Sequence, residues 1–209
     1  MLKWKKIMKS KGNMMKMIRL LTVFVFLTTV SFFLSATEPK SEGLKKGDKM
    51  VDFGMRKVDV EKGKLSNLVW LGDFVGKKDS KDKKKILVLN FFANWCAPCI
   101  KEMPVLQGLY EKYADKGLMV LSVNFRTESE KFESTFEESI NILKKNGVKY
   151  PVLFDRFTNR NQLIYMGSKA VLPCLIIIDS EGIIVEKFQG EQSHDLKKIE
   201  DVIKKAIGG

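Results

Sequence analysis

Residues 90–104 read NFFANWCAPCIKEMP, and this stretch decides the fold of the chain. It joins a continuous apolar run, residues 86–93, to a segment with helical spacing that begins at Ala97. A run that is apolar on both faces is typical of a central strand that is covered on each side. The sequence therefore predicts a buried strand that leads directly into a helix, with Cys96 and Cys99 at the junction.

This junction favours thiol chemistry. A thiolate at Cys96 would face unpaired backbone N–H groups and the positive end of the helix dipole, which lowers its pKa. Pro98 suits the first helical turn because an N–H group is not needed there. Cys99 lies one turn further along and reaches back to Cys96. One thiolate can attack a partner's disulfide and the second thiol can resolve the mixed disulfide, so we expect a redox-active pair.

The number of cysteines agrees with working thiols. The chain has 3 cysteines, whereas a structural disulfide framework uses an even and larger number. The third, Cys174, stands alone in the sequence.

The remaining pattern is α/β, in one domain without internal repeats. A βαβ unit opens the core, and a hairpin followed by a helix ends it. Strands are predicted over residues 50–60, 86–93, 118–125, 151–154, 174–179 and 182–188, and helices over residues 97–114, 130–146 and 194–207.

The front of the chain is typical of an export signal. Basic residues before Leu20 are followed by an apolar run, residues 20–34, and by small residues ending at Ala36, in the order of a secretory signal peptide. We expect residues 1–36 to be a signal peptide or an N-terminal membrane anchor, residues 37–49 a linker and residues 50–209 the domain. The domain would lie outside the cytoplasmic membrane, in the periplasm or cell envelope, with membrane contact only through the N-terminal segment.

The net charge of +12 does not indicate a nucleic-acid partner. Residues 1–19 carry +7 of it, and the rest of the chain carries +5. A modest lysine excess spread over a domain is usually a solvated surface. We expect no nucleic-acid binding, because no basic–aromatic stripe or reading module is present.

The segment 90–104 resembles the active site of thioredoxin-like proteins, and within them the extracytoplasmic TlpA/ResA branch. The resemblance extends through residues 150–155, 171–173 and 177–182. It implies a thioredoxin-like fold, with a central mixed β-sheet flanked by helices and an N-terminal β-hairpin extension. It also implies a protein-disulfide reductase without a cofactor, whose clients include apocytochrome c and whose electrons come from a membrane thiol-transfer protein.

The resemblance assigns roles to individual residues. Pro173 matches a cis-proline that faces the cysteines, and the backbone at Leu172 beside it holds the substrate chain. Trp95 precedes Cys96, and Pro98 lies between the two cysteines. The resemblance places both on the substrate-binding side. Glu102 matches an acidic residue that relays a proton to or from Cys99, and this completes a catalytic set of Cys96, Cys99 and Glu102.

Two positions depart from the family pattern. Asn90 stands where cytoplasmic thioredoxins carry a buried aspartate, which makes Glu102 more important to the proton transfer. Cys174 stands where the family usually has threonine. It is either a possible accessory thiol near the active pair or a small core residue.

Two alternatives remain open at this point. One is a thiol peroxidase of the peroxiredoxin group, although the Trp-Cys-Ala-Pro-Cys segment is not the motif of a peroxidatic cysteine. The other is a module that binds a metal or a client without turnover. The formal zinc ligands would be Cys96, Cys99, Cys174 and His194, but zinc needs four ligands and no second ligand pair exists, so we expect no metal.

Overall fold

A computed structural model describes residues 42–77, 84–127, 129–154, 160–191 and 195–208. The predicted signal or anchor, residues 1–36, and His194 therefore lie outside the described residues. Within the described ranges, no helix is both long and apolar enough to cross a membrane.

Seven strands form one mixed sheet in the order β2-β1-β5-β4-β3-β6-β7. The strands are β1 (Gly54–Asp59), β2 (Lys64–Trp70), β3 (Ile86–Phe92), β4 (Leu118–Asn124), β5 (Val152–Phe154), β6 (Cys174–Asp179) and β7 (Ile184–Gln189). The helices are α1 (Ala97–Tyr113), α2 (Phe132–Lys145), α3 (Arg160–Met166) and α4 (Leu196–Gly208), with 3₁₀ turns at Leu71–Asp73 and Ala114–Lys116.

Strand β3 is the centre of this sheet. It runs parallel to β4 and antiparallel to β6, and every one of its residues is buried. Helix α1 connects β3 to β4 as the predicted βαβ unit, and β1 pairs with β2 as the expected N-terminal hairpin. Helix α3 was not predicted from the sequence, because its 7 residues are too few to show a clear helical period.

Alternate residues of the sheet enter two separate apolar layers. Helices α1, α2 and α4 cover one face, which we call the helical layer; its helix residues include Met103, Leu106, Ile140, Leu143, Ile199 and Ile203. Helix α3 and the chain before β1 cover the other face, which we call the N-terminal layer; it contains Leu44, Phe53, Leu71, Tyr165 and Met166. Each fully buried aliphatic or aromatic side chain stabilises the fold by about 1.5–3 kcal/mol.

The predicted linker needs a correction in its described part. Leu44 is 8% exposed and belongs to the N-terminal layer. The Gly47 N–H donates to the Ile184 carbonyl at 2.8 Å. Lys187 Nζ donates to the carbonyls of Leu44 and Tyr165 at 3.0 and 2.8 Å. Residues 42–49 are therefore part of the domain, which the sequence could not show because their partners lie far away along the chain.

The docking of this segment can be tested at its glycines. Gly43 and Gly47 both have positive φ, 69° and 89°, so alanine strains the backbone at either position by about 1–2 kcal/mol. A Cβ on Gly43 would also collide with the backbone of residues 165–167, whereas a Cβ on Gly47 meets nothing within 4 Å. We expect Gly43→Ala to lower the free energy of unfolding in urea by at least about 1 kcal/mol more than Gly47→Ala. Equal losses would show that the segment does not dock.

Cys174 lies in the N-terminal layer. It is fully buried there, beside Phe91 and Ile176. Cys96 and Cys99 belong to the helical layer, so the sheet lies between them and the Cys174 thiol. The structure does not bring the possible accessory thiol to the active pair, and it places Cys174 as a small core residue.

The reactivity of Cys174 follows from this burial. Desolvation raises its pKa to about 12, against a smaller opposite effect of Lys187. At pH 8 the thiolate fraction is then on the order of one in ten thousand. We expect the native reduced protein to titrate two thiols rapidly with a disulfide reagent, and the third only after unfolding. The Cys174→Ala variant should lose only that slow thiol, and three fast thiols in the wild type would contradict the placement.

Candidate active site

The turn between β3 and α1 places Cys96 at the N-cap of the helix. Its N–H donates to the Ala93 carbonyl at 3.0 Å, and its carbonyl accepts the Ile100 N–H at 3.1 Å. The Cys96 sulfur accepts the backbone N–H of Cys99 at 3.3 Å. A side-chain acceptor at this position satisfies one of the free N–H groups of the first helical turn. The same hydrogen bond and the helix dipole would stabilise a negative charge on this sulfur.

Cys96 and Cys99 form a disulfide in this structure. Cys96 is 5% exposed, whereas Cys99 is fully buried. An incoming thiol or disulfide therefore reaches Cys96 first, and Cys99 is accessible only from within the protein. The division into an attacking thiol at Cys96 and a resolving thiol at Cys99 stays a prediction, and this difference in burial is the observation that bears on it.

The residues expected to surround Cys96 come from two segments. Trp95 is 59% exposed, and Pro98 is half-buried in the first turn of α1. The Leu172–Pro173 peptide bond is cis, as the resemblance implies. Phe91 pairs with Cys174 across β3 and β6, which brings the preceding Pro173 level with the end of β3 and the start of the cysteine turn.

Leu172 is one of these residues as well. It is half-buried and packs against both apolar layers, including the one that contains both cysteines. Its neighbour Val171 is 49% exposed. The four residues expected to contact the substrate thus lie at the start of α1 and directly before β6.

Glu102 lies three residues after Cys99 on α1, and side chains at this spacing share a helix face. Its charge acts on the hydroxyl of Tyr150. Burial raises the pKa of Tyr150 to about 12, and the charge of Glu102 adds to this change. In the same part of the sheet, Asn90 Nδ2 donates to Ser122 Oγ at 3.1 Å, and both residues are fully buried.

Sequence reasoning missed several polar residues near the cysteine turn. Tyr150 and Ser122 are two of them, and Asn94 is a third; it lies two residues before Cys96 and is 7% exposed. The sequence signal for Asn94 was its position beside the C-x-x-C motif, but its partners on other elements could not be identified from spacing.

The formal zinc ligands are not brought together. Cys96 and Cys99 are joined to each other, and Cys174 lies across the sheet. Within the described part of the chain, no three His, Cys, Asp or Glu side chains form a group that could hold a metal ion. His194 lies outside that part.

Comparison with known proteins identifies the family. Residues 47–187 match the model of the AhpC/TSA family. A thiol-disulfide oxidoreductase ResA of Bacillus cereus is 37% identical over 125 residues, which are 59% of this chain and 66% of that protein. ResA of Bacillus thuringiensis subsp. konkukian is 32% identical over 148 residues, covering 70% of this chain and 79% of that protein.

Solved structures agree on the fold. The thioredoxin domain of a thiol-disulfide oxidoreductase from Bacteroides vulgatus superposes with a TM-score of 0.57 at 20% identity, over 77% of this chain and 99% of that one. The predicted thioredoxin-like fold, with a mixed sheet flanked by helices, is thereby confirmed. The chain belongs to the AhpC/TSA family of thioredoxin-like proteins and is a thiol-disulfide oxidoreductase related to ResA.

Proposed function

We propose that this oxidoreductase works as a reductase, which reduces protein disulfides outside the cytoplasmic membrane through Cys96 and Cys99. The asymmetry of the pair is the observation that carries this proposal. Cys96 is the more exposed cysteine, and its sulfur accepts the Cys99 N–H. Cys99 is fully buried and lies one helical turn further along the chain.

The first step is the attack of the Cys96 thiolate on one sulfur of a client disulfide. The client S–S bond breaks, a Cys96–client disulfide forms, and the other client sulfur leaves as a thiolate. The helix N-terminus stabilises Cys96 as an anion before the attack. The surface formed by Trp95, Pro98, Leu172 and Pro173 holds the client chain beside it.

The second step is the attack of Cys99 on the Cys96 sulfur. Cys99 first loses its proton to Glu102, and its thiolate displaces the client from Cys96, so that the Cys96–client S–S bond breaks as the Cys96–Cys99 bond forms. The two client thiolates take up two protons, one that Glu102 returns and one from solvent, and the client leaves as a dithiol. The enzyme keeps the Cys96–Cys99 disulfide, so two electrons pass from the enzyme to the client. Because the buried Cys99 cannot exchange its proton with bulk water directly, a carboxylate on the same helix face is needed to carry it.

The direction, location and client are supported by the sequence. The Ala-Pro dipeptide between the cysteines resembles the Gly-Pro of reducing members more than the dipeptides of strong oxidants. The apolar run at residues 20–34 supports export, with electrons delivered by a membrane thiol-transfer protein. The relatives named ResA support a client that exchanges thiols and disulfides with this protein. Apocytochrome c is the client that the TlpA/ResA resemblance favours.

Substitution of the cysteines tests the division of labour. We expect Cys96→Ser to abolish insulin reduction, because the remaining thiol of the pair, Cys99, is buried. Cys99→Ser should retain the first attack and accumulate a mixed disulfide, which a mass increase equal to one client chain would reveal. Cys174→Ala is the matched control and should keep wild-type activity, since its thiol lies across the sheet.

Three results would contradict the reductase. Full activity of Cys96→Ser in insulin reduction would remove Cys96 from the first step. Rapid consumption of hydrogen peroxide without reduction of a protein disulfide would favour the thiol peroxidase, and near-stoichiometric metal in the purified protein would favour a binding module.

The role of Glu102 is tested by Glu102→Gln, which keeps the shape and removes the proton acceptor. We expect resolution of the mixed disulfide to slow by at least about tenfold, since general acid–base catalysis contributes roughly 10²–10⁴ and water replaces part of it. The first attack should change little. Glu137→Gln, an exposed position on α2, makes the same charge change and should leave both steps intact. Equal rates in the two variants would remove Glu102 from the proton transfer.

A further inference from the structure

The side-chain amide of Asn94 makes four hydrogen bonds just before the active-site turn. Its Nδ2 donates to the Thr135 carbonyl at 2.8 Å and to Glu138 Oε2 at 2.9 Å. Its Oδ1 accepts from Asn124 Nδ2 at 3.2 Å and from Ser139 Oγ at 2.5 Å. A primary amide has two N–H donors and an oxygen with two lone pairs, so every hydrogen-bonding position of Asn94 is used.

The partners belong to two other elements. Thr135, Glu138 and Ser139 lie on α2, and Asn124 is the last residue of β4. Asn124 Nδ2 also lies 3.3 Å from Ser139 Oγ, which accepts from it, so the partners are tied to one another. The single O–H of Ser139 is directed to Asn94 Oδ1, the nearer of its two acceptors. The side chains of Asn94, Asn124 and Ser139 are all buried. The end of β3 is thus fastened to α2 and to β4 at a single buried side chain.

This fastening constrains the cysteines. Only Trp95 separates Asn94 from Cys96, and the Cys96 N–H closes a short turn onto the Ala93 carbonyl at 3.0 Å. With Asn94 held inward, Trp95 is left 59% exposed and the Cys96 sulfur is directed to the helix N-terminus. Loss of the Asn94 bonds would release the turn from α2 while leaving Cys99 fixed in the first turn of α1.

We propose that Asn94 is a positioning residue, which sets the redox equilibrium of the Cys96–Cys99 pair by holding Cys96 within bonding reach of Cys99. The inference rests on the thiol–disulfide exchange activity and does not depend on the proposed direction of electron flow. In the reduced protein, the turn has no covalent link between the cysteines, and the Asn94 bonds limit its freedom. Less freedom in the reduced state raises the effective concentration of the two thiols and favours the disulfide.

The proposal differs from a purely structural role in a measurable way. A residue that only stabilises the fold contributes equally to the oxidised and the reduced protein, and its removal leaves the redox equilibrium unchanged. A residue that favours the disulfide must stabilise the oxidised protein more than the reduced protein. Thermodynamic reciprocity requires the difference between the two losses to equal the change in the redox equilibrium.

The experiment measures the equilibrium of the full chain with mixtures of reduced and oxidised glutathione, read out by thiol alkylation. We expect Asn94→Ala to lower the equilibrium constant for disulfide formation about tenfold, which makes the reduction potential about 30 mV less negative. Unfolding in urea with and without dithiothreitol should show a loss that is larger by about 1.4 kcal/mol in the oxidised protein.

Ser139→Ala and Asn146→Ala complete the test. Ser139→Ala removes one of the bonds to Asn94 and leaves the amide in place, so it should shift the redox equilibrium in the same direction by a smaller factor, even if Asn94→Ala fails to fold. Asn146 Nδ2 donates to the Ile142 carbonyl at the other end of α2, at 2.8 Å; its replacement by alanine costs one hydrogen bond and should leave the equilibrium unchanged. An unchanged equilibrium in Asn94→Ala and Ser139→Ala, or an equal shift in Asn146→Ala, would overturn the proposal.

Discussion

The hydrogen bond from the Cys99 N–H to the Cys96 sulfur is the interaction on which the site depends, and β3 makes it possible. Strand β3 is paired on both sides and covered on both faces. The position of its last residue is therefore fixed by the sheet. Helix α1 begins within five residues of that end. The two cysteines therefore meet at a helix N-terminus in a fixed geometry, and their positions cannot be set by the exposed side chains around them.

The sheet also separates the chemistry from the entry of the chain into the domain. The disulfide and Glu102 lie on the face covered by α1, α2 and α4, whereas residues 42–50 join the N-terminal layer on the other face. Lys187 Nζ, which is half-buried and has its pKa lowered by burial, holds that segment through the carbonyls of residues 42 and 44. The segment before β1 is thus secured on the face of the sheet opposite the cysteine pair.

Patterns within short stretches of sequence were sufficient for the core of the site. The apolar run into β3, the C-x-x-C spacing and the proline at position 98 are local signals, and they predicted the strand, the helix and the cysteine pair correctly. The placement of Cys174 needed the register of β6 against β3, since a shift by one residue would turn its side chain to the other face. Asn94, Ser122 and Tyr150 act through partners on other elements, far away along the chain, so periodicity carries no information about them.

Asn90 removes one candidate for the group that carries the proton of Cys99 in the proposed mechanism. The amide donates to Ser122 Oγ inside the helical layer, and an amide neither accepts nor releases a proton at neutral pH. The Tyr150 hydroxyl stays protonated because burial raises the pKa of Tyr150 to about 12. Cys174 is across the sheet, and its pKa is raised by burial as well. Among these neighbours, the Glu102 carboxylate is the group we propose as the proton carrier, since it lies one helical turn beyond Cys99 on the same helix.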